Sequence, residues 1–321
     1  MTRHKIGTGT STGKTARRIC LAALVVLLVG QVFADIDLPS KFNNTGTVAN
    51  TRHNLTQRPA QNSLGLTGEI MNPYRNDYGE VCVYCHTPHA ANTTINAPLW
   101  NRTNAATPYR IYNLTGSQAS GNAVTQPGMN SLTCLSCHDG TIAVDSIINM
   151  PGSGRYSITQ QTAQSNGFLN TWNNPVDSGT GVGPDATVHL TMTECMACHA
   201  SGVGFIGAGA TDFSAFVLGT DLRNDHPVGI RYPTTAPGVD FKIANASFGN
   251  MRFFDTNGNV RADKNEIRLY DTGEGFEVEC ASCHDPHGVG PGPSGTGGPF
   301  NRSFLRVSNT GSTLCLTCHV K

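Results

Sequence analysis

Residues 278–288 read VECASCHDPHG: two cysteines two residues apart, Cys280 and Cys283, a histidine directly after them, His284, and a further histidine three residues on, His287. The same Cys-x-x-Cys-His unit recurs as Cys82/Cys85/His86, Cys134/Cys137/His138, Cys195/Cys198/His199 and Cys315/Cys318/His319. At this chain's own Cys and His frequencies, chance supplies about 0.01 such units. Of the 11 cysteines, Cys20 alone stands outside a unit.

Zinc ribbons pair Cys-x-x-Cys units but do not need a histidine after each, and redox motifs do not come five to a chain. Covalent haem uses all fifteen residues. Two thiols at this spacing form thioethers with the two vinyl groups of one porphyrin, and the adjacent imidazole falls under the iron as its proximal ligand. The reading is therefore five haem c groups, with no cysteine left for a disulfide.

The histidine count extends this reading. Of the 11 histidines, five are proximal and His4 lies near the start of the chain, which leaves His53, His89, His189, His226 and His287 for the second axial positions. Irons ligated by two histidines are low-spin and closed to substrate. His89 follows His86, and His287 follows His284, by three residues, a reach of at most about 10 Å. That is too short to lead round a porphyrin edge to the opposite face of the same iron, so each serves a different haem. Pro88 and Pro286 stiffen the two links and turn them away from helix.

The start of the chain reads as an export signal. Lys5, Lys14, Arg17 and Arg18 precede an apolar run from Ile19 to Val29, and Val32-Phe33-Ala34 offers a small-residue cleavage site. The run falls short of the roughly 20 residues needed to span a bilayer. The expectation is a cleaved leader over residues 1–34, passage through the periplasm, a secreted or cell-surface protein, and no membrane span after cleavage. The 22 basic and 22 acidic residues balance, and loss of the leader's five basic residues leaves a mildly acidic chain, which excludes nucleic acid as the main partner.

With 38% hydrophobic and 7% aromatic residues, and 36 Gly and 17 Pro, a large side-chain core is not expected. The expected fold is mostly coil with short helices and few strands, wrapped around one continuous stacked haem array. Short helical turns carry the five motifs, and strand pairs lie near Arg252–Phe254 and Glu266–Tyr270. Residues 35–80 form an N-terminal arm and residues 81–321 the pentahaem domain. His53, near the start of the arm, and His319, two residues from the last, suggest that His53 crosses to a terminal haem of a neighbouring subunit.

A second metal pattern lies at residues 255–266. Asp255, Asn257, Asn259, Asp263 and Glu266 occupy positions 1, 3, 5, 9 and 12 of a calcium loop, but Val260 stands where a glycine belongs. The competing reading is an Asx-rich turn that needs no ion.

The phrases GEVCVYCHTPHAANTT with APLWNR, LTCLSCHDG, NDHPVG, VECASCHDPHG and LCLTCH together resemble bacterial multihaem cytochromes of the doubled C-x-x-C-H class. Within that class the chain is similar to outer-surface cytochromes of metal-reducing bacteria that polymerise into extracellular filaments. The resemblance spans residues 50–321. It implies stacked haems with two histidine ligands each, a head-to-tail homopolymer, and electron transfer through redox partner proteins to external acceptors, without catalysis. A discrete periplasmic or outer-surface carrier, and a multihaem reductase, remain as alternatives.

Overall fold

The computed structural model describes residues 44–56, 78, 80–95, 97–103, 107–112, 124–149, 192–200, 212–224, 228–233, 240–290 and 299–320. The backbone divides into Met1–Asp37 and Leu38–Lys321. The expected leader lies outside the described residues, and everything below concerns the second unit.

One five-stranded antiparallel sheet organises the C-terminal half: β1 (Ile230–Arg231), β2 (Ala246–Phe248), β3 (Met251–Phe253), β4 (Arg268–Asp271) and β5 (Phe276–Val278), in the order β1-β5-β4-β3-β2. The strands expected near 252–254 and 266–270 are β3 and β4, with Arg252 opposite Leu269 and Phe253 opposite Arg268. The remaining strands are only two or three residues long, too short to show an alternating pattern in sequence. Phe254, Ile267, Leu269 and Val278 gather with Tyr232 in a buried cluster, against which Leu314, Cys283 and Cys318 pack. Each such aliphatic or aromatic side chain contributes about 1.5–3 kcal/mol when fully buried. The sheet is thus a floor for the last two cysteine motifs.

Four of the five motifs ride on helices: α1 (Met129–His138), α2 (Met192–His199), α3 (Cys280–Cys283) and α4 (Thr313–Cys318). The first motif, Cys82–His86, lies on turns. Strand β5 leads through Glu279 directly into α3. The Glu279 carboxylate caps α3 reciprocally with Ser282 and also accepts the Gly128 N–H at 3.0 Å and the Ser131 hydroxyl at the start of α1. One buried carboxylate therefore ties together the beginnings of two motif helices. Burial pushes it up to about 8, against the lowering effect of the bonds from Ser131 and Gly128. Helix α1 is seated by Leu135, wholly buried with Tyr109 and Leu222. It stops because Asp139 turns its carboxylate to the Thr141 N–H and to the Tyr109 and Thr141 hydroxyls, and Gly140 takes a φ of 72°.

The described part of the N-terminal arm lies across the rest of the unit. Thr45 forms an antiparallel bridge with Pro299, Asn44 accepts the Phe300 N–H, and the Tyr78 hydroxyl donates to the Asp145 carbonyl.

Candidate haem centres

The first and fourth motifs are held by the same backbone clamp. His86 bridges Trp100, and His284 bridges Leu305. In the first, Thr87 N–H donates to Leu99 O and Asn101 N–H to Cys85 O, both at 2.9 Å; in the fourth, Asp285 N–H donates to Phe304 O at 2.9 Å and Arg306 N–H to Cys283 O at 2.7 Å. The first residue of each clamp is left-handed, Leu99 at φ 52° and Phe304 at φ 59°, and in the fourth motif Ser303 before it is left-handed as well, at φ 52°. That kink presents the preceding carbonyl to the motif histidine. Pro98 O lies 2.8 Å from His86 Nδ1, and Ser303 O lies 2.7 Å from His284 Nδ1.

A carbonyl oxygen only accepts, so each contact places a proton on Nδ1 and leaves Nε2 with a free lone pair, which suits a metal-ligating imidazole. The same holds for His138, whose Nδ1 donates to Phe216 O at 2.7 Å, and for His53, whose Nδ1 is 3.3 Å from Pro286 O. In His287, Nδ1 donates instead to a carboxylate, Asp285 Oδ1, at 3.0 Å. Five histidine side chains from separate parts of the sequence are thus oriented alike.

These imidazoles also meet in pairs. The ring centres of His53 and His138 are 6.3 Å apart with planes at 86°, and those of His86 and His287 are 6.1 Å apart with planes at 12°. A metal–imidazole bond is about 2.0–2.1 Å, and the nitrogen lies about 1.1 Å from its ring centre, so two rings on opposite sides of one ion have centres about 6.3 Å apart. Both pairs therefore fit an axially ligated iron, and each joins a motif histidine to a distant one. The His287 ring lies 6.1 Å from that of His86, and the His53 ring lies 6.3 Å from that of His138 in the same chain. The arm is pinned by the Thr45–Pro299 bridge and the Pro286 carbonyl, and the His53 ring packs on Phe304 at 4.5 Å.

Electrostatics keep the first pair neutral. Burial, followed by the nearby His138, lowers His53 to about 4, and burial lowers His138 as well. His287 is raised, first by its hydrogen bond to Asp285. Burial alone would raise Asp285, but the bond from His287 and the charge of Arg306 outweigh it and hold the carboxyl at about 2.

Burial pushes the Cys283 thiol up to about 12 and the Cys318 thiol up to about 11. The nine described cysteine side chains form no disulfide. Their order in space is informative. Cys137 adds to the shift of Cys85, Cys134 hydrogen-bonds Cys280, and Cys318 adds to the shift of Cys283. The first, second, fourth and fifth motifs thus follow one another as neighbours.

The His199 ring stacks on Phe213 at 4.0 Å and His319 packs on Phe241 at 4.8 Å. Cys195 is half-buried on α2, and Cys82 and Cys315 are exposed. His89 is exposed, its carbonyl accepting from Thr87 Oγ1 and Asn149 Nδ2. His189, His226 and the side chain of Cys198 lie outside the described residues. The calcium-like residues form the loop between β3 and β4. Asp255 accepts the N–H groups of Asn257, Gly258 and Val260, Asp263 accepts both amides of Asn257 and Asn259, and buried Glu266 accepts those of Thr256 and Asp263. Val260 takes the left-handed φ of 57° that the missing glycine would supply. The loop closes as an Asx turn on its own donors.

No protein-family model matches this chain, and no curated protein matches it. The residues that sequence reasoning missed are the ones that aim the histidines. Pro98, Phe216, Pro286 and Ser303 act through backbone carbonyls, which carry no side-chain signature. Asp285 was visible inside VECASCHDPHG, where its counterpart in the first motif is Thr87.

Proposed function

We propose that this chain is a secreted pentahaem c-type cytochrome that carries electrons along stacked haems, each with two histidine ligands, and assembles end to end into an extracellular filament serving external acceptors. The observation that carries the proposal is the pair of opposed histidines, His53/His138 and His86/His287, at the separation an axially ligated iron requires.

When bound, haem supplies a one-electron iron couple. The cysteine pairs anchor each group covalently, and the carbonyls of Pro98, Phe216, Pro286 and Ser303 fix which nitrogen faces the metal. His53 with His138, and His86 with His287, would each hold one iron through two imidazoles, which would favour electron transfer over catalysis. By the repeat that relates the two clamps, His89 serves the iron of His284 as His287 serves that of His86. Neighbouring motifs one, two, four and five supply the relay. His189 and His226 serve the remaining irons in this reading.

End-to-end assembly draws support from the last motif. Cys315 is exposed on α4, and Leu316 and Val320 are 37% and 39% exposed beside it, which suits contact with another copy. A discrete carrier is the second reading, favoured by His53, whose place beside His138 makes that centre complete within one chain.

Electron microscopy of protein released from the cell surface separates the two readings. The expected result is filaments in which the haem of Cys315/Cys318 abuts a haem of the next subunit. Single five-haem particles without end contacts would overturn the filament and leave the carrier.

A further inference from the structure

The two clamps match in backbone but differ in one side chain. Where the first motif has Thr87, the fourth has Asp285. The Thr87 hydroxyl donates to the carbonyl of His89 at 2.9 Å, so it brings no charge to that imidazole. Asp285 accepts the Nδ1–H of His287 at 3.0 Å and the N–H of the same residue at 3.1 Å. Its other oxygen is 3.1 Å from Arg306 Nη1. Arg306 is itself 4% exposed and is fixed through the carbonyls of Ala281 and Lys264. The carboxylate is thus immobilised against the ligand's far nitrogen. The Nδ1 atoms of His53, His86, His138 and His284 face neutral carbonyls instead.

We infer that Asp285 lowers the reduction potential of the iron held between His86 and His287, and so sets apart the potentials of two centres whose backbones are otherwise alike. The inference rests on the haem reading above. A carboxylate on Nδ1–H draws that proton toward itself and makes Nε2 a stronger donor. Stronger donation stabilises the ferric state over the ferrous one, and it acts through the hydrogen bond because Arg306 offsets the carboxylate's charge. The effect travels across the fold: Asp285 sits beside the fourth motif, but His287 carries its influence to the iron of the first. Asp285 is a positioning and tuning residue, in contact with a ligand and not with the metal.

The test is a redox titration of the full five-haem protein with dithionite, followed by electron paramagnetic resonance. Each iron takes one electron from the reductant, no bond forms or breaks, and the Nδ1 proton stays with His287 in both states. Near-parallel axial rings split the iron orbitals strongly and give a rhombic low-spin signal, whereas perpendicular rings give a highly anisotropic one. The centre in question is therefore the rhombic signal that His287→Ala abolishes.

In Asp285→Asn this signal stays low-spin, and its ferrous-to-ferric ratio at fixed ambient potential rises about tenfold, or about 59 mV for a one-electron couple. Asp285→Glu, which keeps the charge, stays within about twofold of the parent, or about 18 mV. A shift under twofold in Asp285→Asn, an equal shift in Asp285→Glu, or conversion of the centre to high spin would each overturn the tuning role. If His287→Ala leaves every haem six-coordinate, the axial pairing itself is wrong. If it opens one iron while Asp285→Asn leaves that iron's potential in place, only the tuning fails.

Discussion

On the proposed reading, replacing His53 by alanine is expected to open the iron bound through His138, so that one of the five haems becomes high-spin and binds carbon monoxide when reduced. His287→Ala does the same for the iron of His86, and the double variant opens two. The expectation follows from separation and tautomer together. Each ring stands 6.1–6.3 Å from a motif histidine, and in each Nδ1 is engaged elsewhere, by Pro286 O for His53 and by Asp285 for His287. Two changes more than 200 residues apart in sequence thus act on centres whose cysteines neither residue adjoins. The readouts are the ferrous carbon-monoxide difference spectrum and the high-spin fraction of the ferric spectrum. A His53→Ala protein that stays wholly low-spin as a monomer but no longer polymerises would instead favour a His53 that crosses to a neighbouring subunit.

Arg102→Met is expected to cost about 3 kcal/mol or more, because it strands several buried acceptors at once. Arg102 is 1% exposed. Its guanidinium donates to Ser136 Oγ at 3.1 Å, Ser136 O at 2.7 Å, Val144 O at 2.9 Å and Ala143 O at 3.1 Å. It therefore binds the segment behind the first motif to the last turn of α1, inside the second motif, and to the loop that follows it. Methionine fills similar volume but donates nothing. For a domain of this size the loss corresponds to a fall of about 6–12 °C in melting temperature, read by circular dichroism on the haem-loaded protein. Arg102→Lys keeps the charge but not the planar fork, and recovers only part of it. A melting temperature unchanged in Arg102→Met would show that the fork carries no net stability.

How much of this was legible beforehand differs from one residue to the next. The cysteine pairs and motif histidines were plain, because the Cys-x-x-Cys-His unit repeats five times at fixed spacing. The proposal that His287 and His284 serve different haems rests on chain reach. The strands at 252 and 268 were foreseeable from their apolar and β-branched content, whereas β1, β2 and β5 are too short to announce themselves. His53 stood out in the histidine count, but its place beside His138 did not. Its position depends on a bridge from Thr45 to Pro299 and on one backbone carbonyl, and long-range pairings of that kind leave no local pattern. Arg102 and Glu279 were passed over for a related reason. Charged residues are read as solvent-facing by default, and only the tertiary arrangement surrounds one with carbonyls and draws the other between two helix starts.

The central claim is that five haems are attached through the five cysteine pairs, and mass spectrometry of the protein purified from cells that mature c-type haem tests it most directly. The account predicts an intact mass carrying five haems, with peptides around Cys82/Cys85, Cys134/Cys137, Cys195/Cys198, Cys280/Cys283 and Cys315/Cys318 each bearing one. A protein with free thiols, bound zinc, or disulfides across these pairs would contradict it.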